Sequence, residues 1–465
     1  MWRLMLSGVV LSSLAFWASP VAAQCTGKME WITNPVDDSA TTSLKFPTVD
    51  CEFYKLSWKT FLYVTHVDNS GDPRPTFLKF TTMAELFPQN APPIMPVPGK
   101  PAIGRFVDRI IQSKSDGFVV DQSGRALYYG IHVNPCFVNF VKANGFDKDP
   151  KKIGTFDQFT PINAGALEIK SAWKIFDPAK DCKNSFFTID TTIPGIKLVA
   201  DPVHAGQQNA TLDYSNPQCV TLALVGLHVA VTICDHREFI WATFEHNRNA
   251  PGLVKQGFDP KDPPVDAATG YTFYAQGTKR SLCNLNQWQS PAFNVATQKF
   301  ANPTQVFRQF KFGHVDDAMS GINEPDDDVQ SLNCDMQQKL IAANSIWQHY
   351  TLVGAVWIRD ARIPGALPGT FVPNQDFESA TQENPETNPN SILQGENRLS
   401  SSVIETFTQH DAPFPNQPGP ALTNCFRCHN TATDTHHFPD GSQKQIAGKL
   451  INVSHVLKNA YFGIP

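Results

Sequence analysis

Cys425-Phe426-Arg427-Cys428-His429 is the stretch of this 465-residue chain whose residue types and spacing point most directly to chemistry. Two cysteines three apart lie on one side of a helical turn, so both sulfurs can reach neighbouring vinyl groups of a porphyrin. The histidine directly after them falls where its imidazole can ligate the iron from the proximal side. C-x-x-C-H is therefore the attachment signature of c-type haem. With 10 Cys and 13 His in the chain, chance would supply roughly 0.006 such matches. A redox dithiol would sit near the start of a thioredoxin-like βαβ pattern, which is absent. A zinc site would need two more ligands, which His436 and His437 could provide. The expectation is one covalent haem c on Cys425 and Cys428, with His429 as proximal ligand.

The sixth iron ligand decides what such a haem does: methionine raises the potential, a second histidine generally lowers it, and a vacancy admits substrate or gas. No methionine follows Cys428. The nearby candidates are His436, His437 and His455, or nothing from this segment. Ile446, Leu450, Val453, Leu457 and Tyr461 have helical spacing and predict a terminal helix over 445–461. His455 lies just off that stripe, as a half-exposed boundary residue or a distal ligand.

Other candidates lie far upstream. Cys219 to Ile233 is nearly continuously apolar and predicts a buried strand with Leu224, Gly226, His228 and Ala230 on one face. Gly226 beside His228 leaves room for a close approach. A buried histidine is more often a hydrogen-bonded core residue than a ligand, so both readings of His228 stay open. Phe239 to His246 predicts a second strand that ends in Glu245 and His246, side chains pointing to opposite faces.

The elements that must position these residues are mixed. Leu167, Ile169, Trp173 and Ile175 alternate with Glu168, Lys170 and Lys174, a half-exposed strand pattern. After Asp326-Asp327-Asp328, the residues Val329, Leu332, Met336, Ala343 and Trp347 follow helical spacing, and Tyr350–Ile358 predicts a buried strand. The fold class is α+β: a large mixed unit over 24–360, a Pro/Asn-rich linker or loop over 361–400, and a small helical haem-bearing segment over 401–465. Hydrophobic residues make up 41% and charged residues 17%, with a net charge of -5 and no long run of one sign. A globular chain follows, and no nucleic-acid partner is expected, since the charge balance makes it a poor candidate. There is no P-loop, nucleophile elbow, H-E-x-x-H motif or dinucleotide fingerprint.

Arg3 precedes the apolar run Leu4 to Trp17, followed by Pro20 and Val21-Ala22-Ala23, which predicts a signal peptide over 1–23 cleaved before Gln24. The run is shorter than the roughly 20 residues that span a bilayer, which argues against a membrane anchor, and the rest of the sequence has no other apolar stretch that long, so no integral membrane segment is expected after cleavage. The mature chain is expected in the periplasm or secreted. Export permits disulfides among the eight other cysteines, up to four, with neighbours such as Cys219 and Cys234 the simplest pairing.

Taken with the haem motif, Leu56-Ser57-Trp58-Lys59-Thr60-Phe61, the run Gly165 to Lys174, Val225-Gly226-Leu227-His228, Trp241 to His246 and Tyr350 to Trp357 resemble a family of exported bacterial proteins known as cytochrome c family proteins. These stretches span most of the mature chain, and in that family the single haem motif also comes late. The resemblance implies covalent haem on Cys425 and Cys428 with His429 as proximal ligand, and assigns no reaction or sixth ligand. Three functions are open: electron transfer with a redox partner protein or small-molecule donor or acceptor; a peroxidase- or oxidase-like haem enzyme with His228, Glu245 or His246 as distal acid-base groups; and a haem-based redox or gas sensor.

Overall fold

The computed structural model describes residues 25–38, 50–68, 70–94, 96–112, 117–182, 184–201, 206–234, 236–253, 261–283, 292–308, 314–317, 322–325, 327–358, 393–395, 401–404, 406, 429–438 and 441–464. Cys425, Cys428, residues 1–23 and most of 361–400 lie outside them. The class is mixed α+β, as the sequence predicts. In chain order the elements that matter are α1 (Asp50–Thr65), β1 (Tyr128–Val133), α2 (Pro135–Ala143), β2 (Leu167–Ile175), β3 (Thr188–Ala200), β4 (Gln208–Ile233), β5 (His236–His246), α3 (Asp327–Ala342), β6 (Tyr350–Ile358) and α4 (His455–Phe462).

The β-branched and aromatic runs assemble into one eight-stranded sheet, ordered Thr81–Thr82, β1, β2, β4, β5, β6, Leu393–Gly395, with β3 also paired to β4. Every strand pairing in it is antiparallel. Leu393–Gly395, within the expected linker, is thus a strand hydrogen-bonded to β6.

Helices α1 and α3 cover one face of the sheet. Phe61 stacks on Phe244 at 4.1 Å and Phe53 on Trp357 at 3.8 Å, placing the aromatic stripe of α1 against β5 and β6. Asn333 of α3 ties the layers together. Its amide oxygen accepts from Trp58 Nε1 (3.1 Å) and Leu352 N (3.1 Å), and its Nδ2 donates to the Leu352 carbonyl (2.7 Å), beside the bulge between Leu352 and Gly354.

Several expectations are corrected on the other face. Strand β2 is not half exposed: Glu168, Lys170 and Lys174 are only 6%, 9% and 4% exposed, because residues 401–406 and the C-terminal segment lie over that side. Leu224 does not share a face with Gly226 and His228. Ala172 pairs with Gly226 and Trp173 with Leu224, so Val225 is the extra residue of a bulge that turns Leu224 to the α1 side. The terminal helix is shorter than 445–461. Gln443–Ile446 is a strand, Leu450–Val453 a 3-10 turn, and α4 starts only after Ser454, whose hydroxyl accepts from Leu457 N. Helix α3 ends at Ala342, where Asn344 turns the chain at φ 48°, although Trp347 remains buried.

Cys25 and Cys51 form a disulfide, whereas Cys136, Cys182, Cys219, Cys234, Cys283 and Cys334 are free thiols. Cys219 lies within β4 and Cys234 just past its end, so an extended backbone separates them by about 50 Å at 3.3 Å per residue, and they cannot pair. No helix among the described residues is long and apolar enough to cross a membrane.

Candidate functional site

Strand register places the candidate residues in three rows across the covered face. The first is Val133, Glu168, Ala230, Trp241 and Val356. The second is Ile131, Lys170, His228 and Thr243, and the third Tyr129, Ala172, Gly226 and Glu245. Residues 401–406 cover the third row, and the segment from His429 to Phe462 covers the first.

The cover of the third row is fastened by polar groups. Glu245, fully buried, accepts from Ser401 Oγ (2.8 Å), Ser402 N (2.6 Å) and Ser402 Oγ, and lies 3.9 Å from Arg308 Nη1. Tyr129 donates its hydroxyl to the Val403 carbonyl at 2.8 Å. A Cβ added at Gly226 would fall 2.5 Å from Val403 Cγ2, so the close approach that the glycine permits is made by Val403. Glu245 is thereby an anchor for this segment.

Over the first row, residues 429–432 are stitched to 447–453. Lys449 N donates to the Thr431 carbonyl (3.0 Å), and Asn452 Nδ2 to the carbonyls of Ala432 (3.0 Å) and Ala447 (2.9 Å). Ile446, Ile451, Val453, Val456 and Leu457 share one apolar cluster with Val133, Phe137, Ala230 and Val356. His429 is held inside this cover, 6% exposed. Its Nδ1 lies 2.7 Å from the Val453 carbonyl oxygen, which can only accept, so Nδ1 carries a proton. That is the tautomer and second-shell support a metal-ligating imidazole needs.

Two rings flank His429. Trp241 approaches to 3.9 Å with planes 46° apart, and His455 lies 3.6 Å away, nearly parallel at 13°. Face-to-face rings this close have no space for a metal between them. In this arrangement His455 is a stacking partner of His429. The indole N–H of Trp241 is buried with no hydrogen-bond acceptor among the described residues. An orphaned donor against the histidine suits a group that brings its own acceptors, as a porphyrin brings carboxylates. His429 as ligand and Trp241 as donor therefore fit a haem, with Cys425 and Cys428 immediately before in the chain.

Glu168 sits beneath the same turn. Its carboxylate accepts from Ser454 Oγ at 2.7 Å and from the backbone N–H of Val456. Burial pushes its pKa up to about 7, while those two hydrogen bonds and Lys170 pull it down.

The upstream histidines differ. His228 is half-buried in the middle row, its Nδ1 2.5 Å from Thr243 Oγ1. It is a diagonal neighbour of Trp241, about 7–8 Å between backbones. His246 points to the opposite side from Glu245, stacks on Phe186 at 3.9 Å, donates from Nε2 to the Ser185 carbonyl (2.8 Å) and accepts from Arg248 N (3.1 Å). Both nitrogens are occupied and burial lowers its pKa to about 3, the marks of a neutral structural histidine. His436 packs on Phe438 and Phe462, and His437 is exposed. A cleft of about 640 Å³ lined by Ile110, Lys197, Leu212 and Tyr214 contains none of these candidates.

Sequence reasoning missed Glu168, Trp241 and Ser454 as parts of one assembly. Only Ser454 left a local signal, an N-cap residue three before a helical leucine. No family model matches the chain, and no curated protein or solved structure does either.

Proposed function

We propose that the chain is an exported c-type cytochrome, carrying one haem on Cys425 and Cys428 with His429 as its ligand and passing electrons between partners in the periplasm or outside the cell. The observation that carries this reading is the hydrogen bond from His429 Nδ1 to the Val453 carbonyl, which orients the imidazole of the residue that follows the C-x-x-C pair. The bound haem would supply reversible one-electron storage. The Val453 carbonyl holds the imidazole in one tautomer and one orientation. The indole of Trp241, 3.9 Å from the ring, keeps water from it. The N-terminal pattern of residues 1–23 supports export.

A haem enzyme is the second reading, favoured by His228, which stands half-buried in the middle row with Nδ1 engaged by Thr243 and so could act as a base. Carbon monoxide separates the two. Added to the dithionite-reduced protein, it should leave the spectrum unchanged if the iron has two firm protein ligands. A shifted Soret band would instead mark an open site and transfer support to the enzyme reading.

A further inference from the structure

We infer that Glu168 is a positioning residue: through the Ser454 hydroxyl and the Val456 N–H, its carboxylate fixes the Val453–Val456 turn whose carbonyl orients His429. The inference rests on the reading of His429 as the iron ligand, and it extends that site into the centre of the sheet.

The geometry forms one continuous path. Glu168 projects from β2, a strand paired on both sides and rigid for that reason. Ser454 Oγ donates to it at 2.7 Å while accepting from Leu457 N at 3.3 Å, so a single hydroxyl links the sheet to the start of α4. Val456 N–H, a first-turn donor that no helical carbonyl can satisfy, also turns to the carboxylate. The peptide immediately before Ser454 offers its carbonyl to His429 Nδ1 at 2.7 Å. If Glu168 is removed, two donors lose their acceptor and the Val453 carbonyl loses its link to the sheet, keeping the 3-10 turn before it and the Ser454 cap after it.

A carboxylate on a buried strand face needs a reason, because burial disfavours its charge and an alanine or valine would pack there at lower cost. Lys170, two residues along the same face, and the more distant Arg109 offset part of that penalty. A buried acceptor for the Ser454 hydroxyl and the Val456 N–H, both in one turn of the chain, is what the position gains.

The test is the midpoint potential of the purified full-length haem protein, measured for wild type, Glu168→Ala, Glu168→Gln, Ser454→Ala and Leu457→Ala. A firm Nδ1–H to carbonyl bond makes the imidazole more basic and favours the oxidised iron. E168A and S454A should therefore both shift the potential upward, the double variant should shift it no further than either alone, and E168Q should return it toward wild type. L457A weakens the packing of α4 without touching the hydrogen-bond path, so it should lower the melting temperature and leave the potential in place. An unchanged potential in both E168A and S454A would overturn the inference, as would an equal shift in L457A. If the wild-type protein carries no haem, the ligand reading fails by itself. The positioning claim is then read from the His429 Nδ1–H resonance in ¹⁵N spectra of the full chain, which should vanish in E168A and persist in L457A; its persistence in E168A would refute the claim.

Discussion

Replacing His429 by alanine should leave the haem attached and remove the iron's proximal ligand. The thioether bonds on Cys425 and Cys428 do not depend on the imidazole, so haem content per chain should be unchanged. The affinity of the iron for its protein ligands should fall by more than the roughly 10–100-fold typical for loss of an outer-shell partner. The reduced variant should accordingly bind carbon monoxide in full, as read from a difference spectrum. The fold should lose about 2 kcal/mol, because the Val453 carbonyl loses its donor and the rings of Trp241 and His455 lose their contact with the imidazole. A variant whose reduced spectrum matches wild type and ignores carbon monoxide would place the iron on another residue.

The second large effect is expected at Glu245. Its buried carboxylate receives three donors from Ser401 and Ser402 and faces Arg308, itself 8% exposed. Alanine at this position leaves the guanidinium without its buried counter-charge and the Ser402 N–H without an acceptor. A loss of about 3–5 kcal/mol is expected from breaking such a pair. Glu245→Gln keeps an acceptor for Ser402 and should lose less. Urea unfolding measures both variants. Limited proteolysis should show faster cleavage around 401–406 in the alanine variant, since that segment then loses the acceptor of three of its donors and keeps its bonds to Tyr129 and Gln112. Equal stability of the alanine variant and wild type would remove Glu245 from its role as anchor.

What could be read in the sequence was local. C-x-x-C-H is a contiguous motif, and Tyr350–Ile358 and the helix after Asp326 declare themselves by periodicity and charge within one stretch. The misreadings came from contacts distant in sequence. Glu168 and Lys170 alternate with apolar residues as a solvent-facing strand would, and only the covering segments from beyond residue 400 make that face interior. Leu224 was misplaced because a single bulged residue, Val225, inverts the alternation with no side-chain signature. The apolar stripe from Ile446 to Tyr461 keeps helical spacing through a strand and a 3-10 turn, while Ser454 and Gly463, at φ 80°, set the true ends of the helix. His228 was legible as a buried polar residue and Glu245 as an acid near the end of a strand. Their roles were not, because Ser401, Ser402 and Thr243 reach them through tertiary packing.

The most direct measurement is whether haem remains with the polypeptide. The mature protein, produced in a host with c-haem maturation, is extracted with acid acetone beside a Cys425→Ser/Cys428→Ser variant, and chain mass is determined for both. Covalent attachment predicts that the wild-type chain keeps the mass of one haem and its absorbance through extraction, and that the variant loses both. A wild-type chain with the bare polypeptide mass, or haem that leaves with the solvent, would contradict it.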